Sequence, residues 1–255
     1  MEKTEQLLNF CCQIGRQLIQ NGAEIYRVEE SISRIIASYG YKDAEVFAIP
    51  AFLTINIQGD SRNYTKAARI KTSSNNMDKL DRLNALCRQV CQERPDAAEA
   101  FARLEAIAQR PAYTRWISYL AYGLAAFFFT LFWGGCMLDA GISLICGLIV
   151  KATVGHMKRM NANIFFIYVC ASIFLVIVPL ALSYLGCPIQ MDKIVIGAIM
   201  LLVPGIAITN VMRDVIAGDF LTAITKFAEV MIVAMAIAVG IALPVGIFRI
   251  IWGVA

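Results

Sequence analysis

The run Trp116–Leu138, WISYLAYGLAAFFFTLFWGGCML, holds no charged residue over 23 positions. A helix of that length crosses the roughly 30 Å hydrocarbon core of a bilayer. Trp116, Tyr119 and Trp133 suit the two membrane interfaces. Working outward, four further apolar segments follow. The spans are expected at about 116–136, 140–156, 163–184, 194–210 and 221–248, with Lys151 near the end of the second and able to snorkel. The last three include Pro179, Pro204-Gly205 and Pro244 in turn.

Composition agrees with this reading. The 255 residues are 58% hydrophobic with a mean hydropathy of +0.63, too apolar for an ordinary soluble domain. Residues 1–115 carry 16 Lys/Arg and 14 Asp/Glu, and the remaining residues only 7 and 5. A polar domain over 1–112 therefore precedes a transmembrane domain over 113–255. The net charge of +4 reflects basic residues flanking spans and is no nucleic-acid footprint.

Within the first domain, Leu7, Cys11, Ile14 and Leu18 mark one helical face, with Gly22 as a stop. Ile25, Val28, Ile32, Ile35 and Tyr39 mark a second helix, ended by Gly40. Its wet face carries Glu24/Arg27 and Glu30/Arg34 at ion-pair spacing. The period then shortens through Val46, Ala48, Phe52, Ile55 and Ile57, broken by Pro50 and Gly59-Asp60, and again from Tyr64 through Ala68 to Ile70. Two or three antiparallel strands are predicted. Helices over about Met77–Cys91 and Asp96–Gln109 complete a small α+β domain. The fold class is a membrane α-helical bundle of about five transmembrane helices preceded by that domain.

The N-terminus does not resemble a signal peptide: Gln13, Arg16 and Gln17 interrupt its first apolar stretch. Basic residues at Arg110/Arg115 and Lys151/Lys158/Arg159 place the N-terminus inside and the C-terminus outside by the positive-inside rule. A multi-pass protein of a bacterial inner membrane is expected, with its first domain in the cytoplasm. Cys11, Cys12, Cys87 and Cys91 lie at core-facing helical positions with His156 the chain's single histidine, so they read as reduced apolar filler and not as a metal site. No cofactor is expected.

Candidate chemistry concentrates in LVPGIAITNVMRDVIAGDFLTAITKFAE, residues 202–229. Pro204-Gly205 removes a backbone donor just ahead of Asn210, Arg213, Asp214, Asp219, Lys226 and Glu229. Broken helices and buried charges are how transporters build substrate and ion sites. Arg213 has the planar fork that binds a carboxylate, and Asp214, Asp219 or Glu229 can carry a proton. The plainer alternative is a wet loop with Asp219 capping the last helix and Lys226/Glu229 paired at the membrane edge. The corner Gly22–Glu29 reads as a helix–helix junction with charged flanks, and His156 as part of a topology-setting basic loop. The chain contains neither a G-x-x-x-x-G-K-[ST] loop nor a nucleophile–base spacing, so an enzyme is not expected.

The corner GAEIYRVEESI, the strand end FAIP, the helix start NMDKL and the segment LVPGIAITNVMRDVIAGD together resemble the threonine/serine exporter family, in order, over nearly the whole chain. The resemblance implies a cytoplasmic N-terminal domain and gradient-driven export of small metabolites. It places the family's Pro-Gly, Asn and Arg-Asp positions on Pro204, Gly205, Asn210, Arg213 and Asp214. Where many relatives have Thr after the strand-end proline, this chain has Ala51. Full-length members carry a second membrane half, so the resemblance is to the larger subunit of the split form, completed by a small hydrophobic membrane protein. Split members imply a C4-dicarboxylate such as succinate; export of threonine and serine is the alternative, and a membrane-anchored hydrolase or sensor the second. Expected partners are that small membrane protein, a small anionic or zwitterionic metabolite and the lipid bilayer, with a homo-oligomer open and no nucleic acid.

Overall fold

The computed structural model describes residues 2–41, 43–58, 62–71, 75–110 and 113–252. The expected turn at Gly59-Asp60 and the boundary at 112 lie outside them. Contacts divide the chain into two compact units, Met1–Pro111 with Thr209–Lys226, and Ala112–Ile208 with Phe227–Ala255. The expected division kept everything after residue 112 in the membrane domain. Instead, the charged connection 209–226 belongs with the N-terminal unit.

In that unit, α1 (Glu2–Gln20) and α2 (Ile25–Ser38) precede β1 (Ala44–Ile49), β2 (Phe52–Gln58) and β3 (Asn63–Arg69). Gly22, at φ +94°, turns the chain between the helices, and a side chain there would also meet Asn75 Oδ1 at 2.6 Å. The strands form an antiparallel sheet in the order β1-β2-β3, with Ile49 opposite Phe52 across the two-residue Pro50-Ala51 connection. Period-2 alternation on β2 sends Leu53, Ile55 and Ile57 wholly into the core. There they meet α1 and α2, whose Ile14, Ile32 and Ile35 are equally buried. Next come α3 (Met77–Glu93), whose first turn is capped by Asn76 Oδ1 accepting from Lys79 N at 3.1 Å, and α4 (Ala97–Ala108). Phe10 meets Phe101 edge-on, centroids 5.6 Å apart, joining α1 to α4. Burial pushes the Cys11 thiol far above its ordinary value and Cys87 up to about 12, so both pack as neutral apolar groups. The expected ion pairs form, Glu24–Arg27 at 2.8 Å and Glu30–Arg34 at 2.5 Å.

The second unit is a membrane helical bundle: α5 (Arg115–Phe132), α6 (Met137–Arg159), α7 (Ile164–Tyr184), α8 (Met191–Ile199), the start of α9 (Gly205–Ile216) and most of α10 (Phe220–Trp252). Four helices, α5, α6, α7 and α10, are long and apolar enough to span. The fourth expected span, 194–210, is not one helix. Its α8 has nine residues, about 14 Å of rise and half a bilayer core, and five residues separate it from α9. Pro204 accounts for the break, since it has no N–H to continue α8 and its carbonyl instead opens α9 by accepting from Ile208 N at 3.0 Å. The Ile199 carbonyl is not left unmet, because Leu202 N and Val203 N reach it at 2.8 and 3.1 Å. Pro179 and Pro244, by contrast, sit inside continuous helices.

Glycines set the close approaches in this bundle. A Cβ on Gly147 of α6 would lie 2.7 Å from Tyr122 O of α5, and one on Gly197 of α8 would lie 2.1 Å from Thr130 Oγ1. Asp139 is fully buried at the start of α6. Its carboxylate accepts from Cys136 N and Gln190 N, both at 2.9 Å, tying the α5–α6 turn to the entry of α8.

Candidate functional site

The connection between α9 and α10 is shaped by its backbone first. Gly218, at φ +83°, ends α9; its N–H reaches Val215 O at 3.1 Å while Asp219 N reaches Asp214 O at 3.0 Å. Asp219 then opens α10, its Oδ1 accepting from Thr222 N at 3.2 Å. That turn brings the faces of two helices together. Lys226 Nζ donates to Asp214 Oδ2 at 2.8 Å, with 19% of the lysine side chain and 2% of the aspartate exposed. The plainer alternative of a Lys226–Glu229 pair is not what the structure shows: Lys226 turns to Asp214, and Glu229 stands exposed on α10 without a described ion-pair partner.

One residue before that aspartate, Arg213 Nη1 pairs with Glu24 Oε1. Glu24 occupies the N-cap position of α2 without capping it, which leaves its carboxylate available to other partners. Arg27 Nε lies 2.8 Å from Glu24 Oε2, but the Nε–H is given to Tyr26 Oη at 3.1 Å. Oε2 is therefore buried without a hydrogen bond and held by charge alone. Glu29, further along α2, accepts from Ala48 N at 2.7 Å and so ties the helix to β1. Burial pushes the Glu29 carboxyl above the usual range; the backbone N–H opposes this, and the nearby Asp219 charge adds to it. Thr222 is also fully buried, with an unpartnered Oγ1.

Within the first unit, then, the structure gathers Arg213, Asp214, Asp219 and Lys226 with Glu24, Arg27 and Glu29. Asn210 lies half-buried one turn before Asp214, outside the ion pairs. Pro204, Gly205 and Glu229 belong to the second unit. The plainer reading of Asp219 as a helix cap is met. Sequence reasoning missed Glu24 and Glu29 as members of this group. Both lie in the corner motif already conspicuous in the sequence, but nothing local says which distant charge they meet. Four carboxylates face three cations here, an arrangement able to hold one more proton or cationic group.

The model of the family described as "Putative threonine/serine exporter" matches residues 9–248. A protein of Mycobacterium tuberculosis named "Probable threonine/serine exporter" is 19% identical over 241 residues, 93% of this chain and 45% of that protein. The "Threonine/serine exporter" of Corynebacterium glutamicum is 21% identical over 257 residues, 96% of this chain and 52% of its own length. The chain thus spans about half the length of the curated relatives it matches. No solved structure matches it.

Proposed function

Because this chain belongs to the threonine/serine exporter family, we propose that it forms part of an exporter of small zwitterionic amino acids such as threonine and serine. The observation that carries the choice of substrate is the pairing of Arg213 with Glu24 and of Lys226 with Asp214. The sequence offers Arg213 as a candidate for a substrate carboxylate, and here Glu24 takes that place. With Arg213 and Arg27 on Glu24 and Lys226 on Asp214, all three cations are engaged and this group has no spare positive charge for a dicarboxylate, whose two anionic ends would meet a net negative cluster. The names of both relatives favour amino acids over succinate as well.

Connectivity and charge support one reading of the side of the membrane. Basic residues at Arg110, Arg115, Lys158 and Arg159 favour a cytoplasmic N-terminal unit in a bacterial inner membrane. Three helices, α5 to α7, carry the chain to the far side, and residues 209–226 belong to the N-terminal unit. On that reading, segment 191–208 would carry it back as a broken span. Irregular backbone at membrane depth has to be buried in protein or line water. A second membrane half, supplied by a small membrane protein or another copy, would cover it. Export would be driven by a proton gradient, with the surplus carboxylate among Glu24, Glu29, Asp214 and Asp219 taking the proton and loosening the Arg213 pair.

Counterflow in sealed vesicles loaded with labelled threonine, serine or succinate tests this. Threonine and serine efflux that collapses with an uncoupler is expected. Efflux of succinate without either amino acid would overturn the substrate assignment.

A further inference from the structure

Inside the first unit, α2 and α3 pack against each other and leave an open groove of about 830 Å³. Arg27, Glu30 and Arg34 line it from α2, Asn84 and Arg88 from α3. Arg27 and Arg34 lie on one face of α2, two turns and about 10 Å of rise apart. Arg88 is exposed and forms no ion pair among the described residues. Arg34 commits one terminal nitrogen, Nη2, to Glu30 at 2.5 Å. Arg27 gives its Nε–H to Tyr26 Oη and faces Glu24 Oε2 with the same nitrogen, which leaves the outer edge of its guanidinium open.

Three guanidiniums therefore share one concave surface with a single acid, Glu30. A merely solvated helix face sets its arginines among carboxylates, as Arg103 of α4 stands between Glu93 and Glu99. Here the like charges repel one another, and the concavity concentrates their field on an anion that enters. The volume falls within the roughly 300–1,000 Å³ of small-molecule sites. A planar guanidinium matches phosphate oxygens two at a time, and a diphosphate carries enough of them to meet forks on both helices. Tyr26 also lines the groove and is 37% exposed, so its ring is open to a nucleobase. We propose that this groove binds a small diphosphate anion, free or carried on a nucleoside, held between Arg34 and Arg88 and reached by Arg27. Glu24 competes with the anion for Arg27, so an occupied groove leaves Arg213 as the cation on Glu24. The groove is thereby coupled to the charged connection between α9 and α10.

The test is equilibrium binding of labelled pyrophosphate and labelled ADP to the purified full chain in detergent, without magnesium. Saturable binding is expected, weakened about tenfold by Arg34→Gln and by Arg88→Gln, both exposed positions where folding is not at stake. Arg69→Gln, on β3 and outside the groove, should bind as wild type does. ADP tighter than pyrophosphate, with the difference lost in Tyr26→Ala, would assign the nucleoside-borne form; equal affinities would assign the free diphosphate. Glu24→Gln should tighten binding several-fold by releasing Arg27, and this gain should vanish in an Arg27→Gln background. Absence of saturable binding, or equal weakening by Arg69→Gln, would overturn the site. Displacement of pyrophosphate by succinate at matched concentration would overturn the choice of phosphate. Unchanged affinity in Glu24→Gln would overturn the coupling and leave the groove as a binding site.

Discussion

Lys226 on α10 closes on Asp214 on α9 across a single glycine turn, and the carboxylate it meets is almost wholly withdrawn from water. Such a pair gives little net stability while intact, yet losing one member strands a charge. Asp214→Asn or Lys226→Met alone should each destabilise the first unit by about 3–5 kcal/mol. The double variant Asp214→Leu/Lys226→Met should recover much of that loss. Thermal melts of purified protein in detergent measure all three, and equal loss in single and double variants would count against the pairing.

The Arg213–Glu24 bond differs in kind, because Arg213 is 46% exposed. Glu24 is only 10% exposed, so Arg213→Gln should cost more stability than an exposed pair's roughly 1 kcal/mol. Glu24→Gln, which leaves only the half-exposed Arg213 unpaired, should cost at most about that. The bond's effect belongs to transport: Glu24→Gln and Arg213→Gln should each slow gradient-driven threonine efflux several-fold. The exchange Glu24→Arg/Arg213→Glu should restore part of the rate, and vesicle efflux at matched protein levels reads the difference.

Glu29 fixes a pH dependence. Its carboxyl is raised above the ordinary value of 4.5 when folded, so the folded chain holds a proton that the unfolded chain releases. The stabilising contribution is complete below that ordinary value and is lost as pH rises through the raised one. Glu29→Gln keeps an oxygen for Ala48 N and removes the titration. Melts from pH 4.5 upward should therefore decline less in the variant than in wild type, and parallel curves would exclude the effect.

Gly197 tests the packing of α8. A Cβ there would lie 2.7 Å from the Thr130 backbone nitrogen, an obstacle that no rotamer change removes. Gly197→Ala should cost about 1–3 kcal/mol, whereas Gly141→Ala, with open space around it, should be near neutral. Detergent melts of the two variants provide a direct comparison.

The broken span makes a topological prediction. A cysteine introduced at Gly186, between α7 and α8, and one introduced at Gly218, between α9 and α10, should react with a membrane-impermeant thiol reagent from opposite sides. The experiment needs a background lacking the native exposed cysteine, Cys136. Labelling from one side only would mean that 191–208 dips into the membrane and returns.

What was legible in the sequence was local. The alternation on β2, the α2 ion pairs and the Asp219 cap depend on neighbours two to four positions away, and each formed as spacing predicted. The long apolar runs gave four helices of spanning length for the same reason. Segment 194–210 misled because hydropathy counts apolar side chains and ignores the missing Pro204 N–H that divides it. The meetings of Glu24 with Arg213, Lys151 with Tyr122 and Asp139 with Gln190 join segments far apart in the chain. No periodicity encodes such pairs. The lean towards a dicarboxylate came from the resemblance to split members of the family, and the names of the curated relatives favour threonine and serine instead.

The Glu24–Arg213 bond has a consequence for descent as well as for mechanism. Two positions in different regions of the gene are joined by one charge relation, so a change of sign at either is exposed to selection until the other answers it. Among related chains, position 24 should be acidic where position 213 is basic, and both should reverse or fall neutral together.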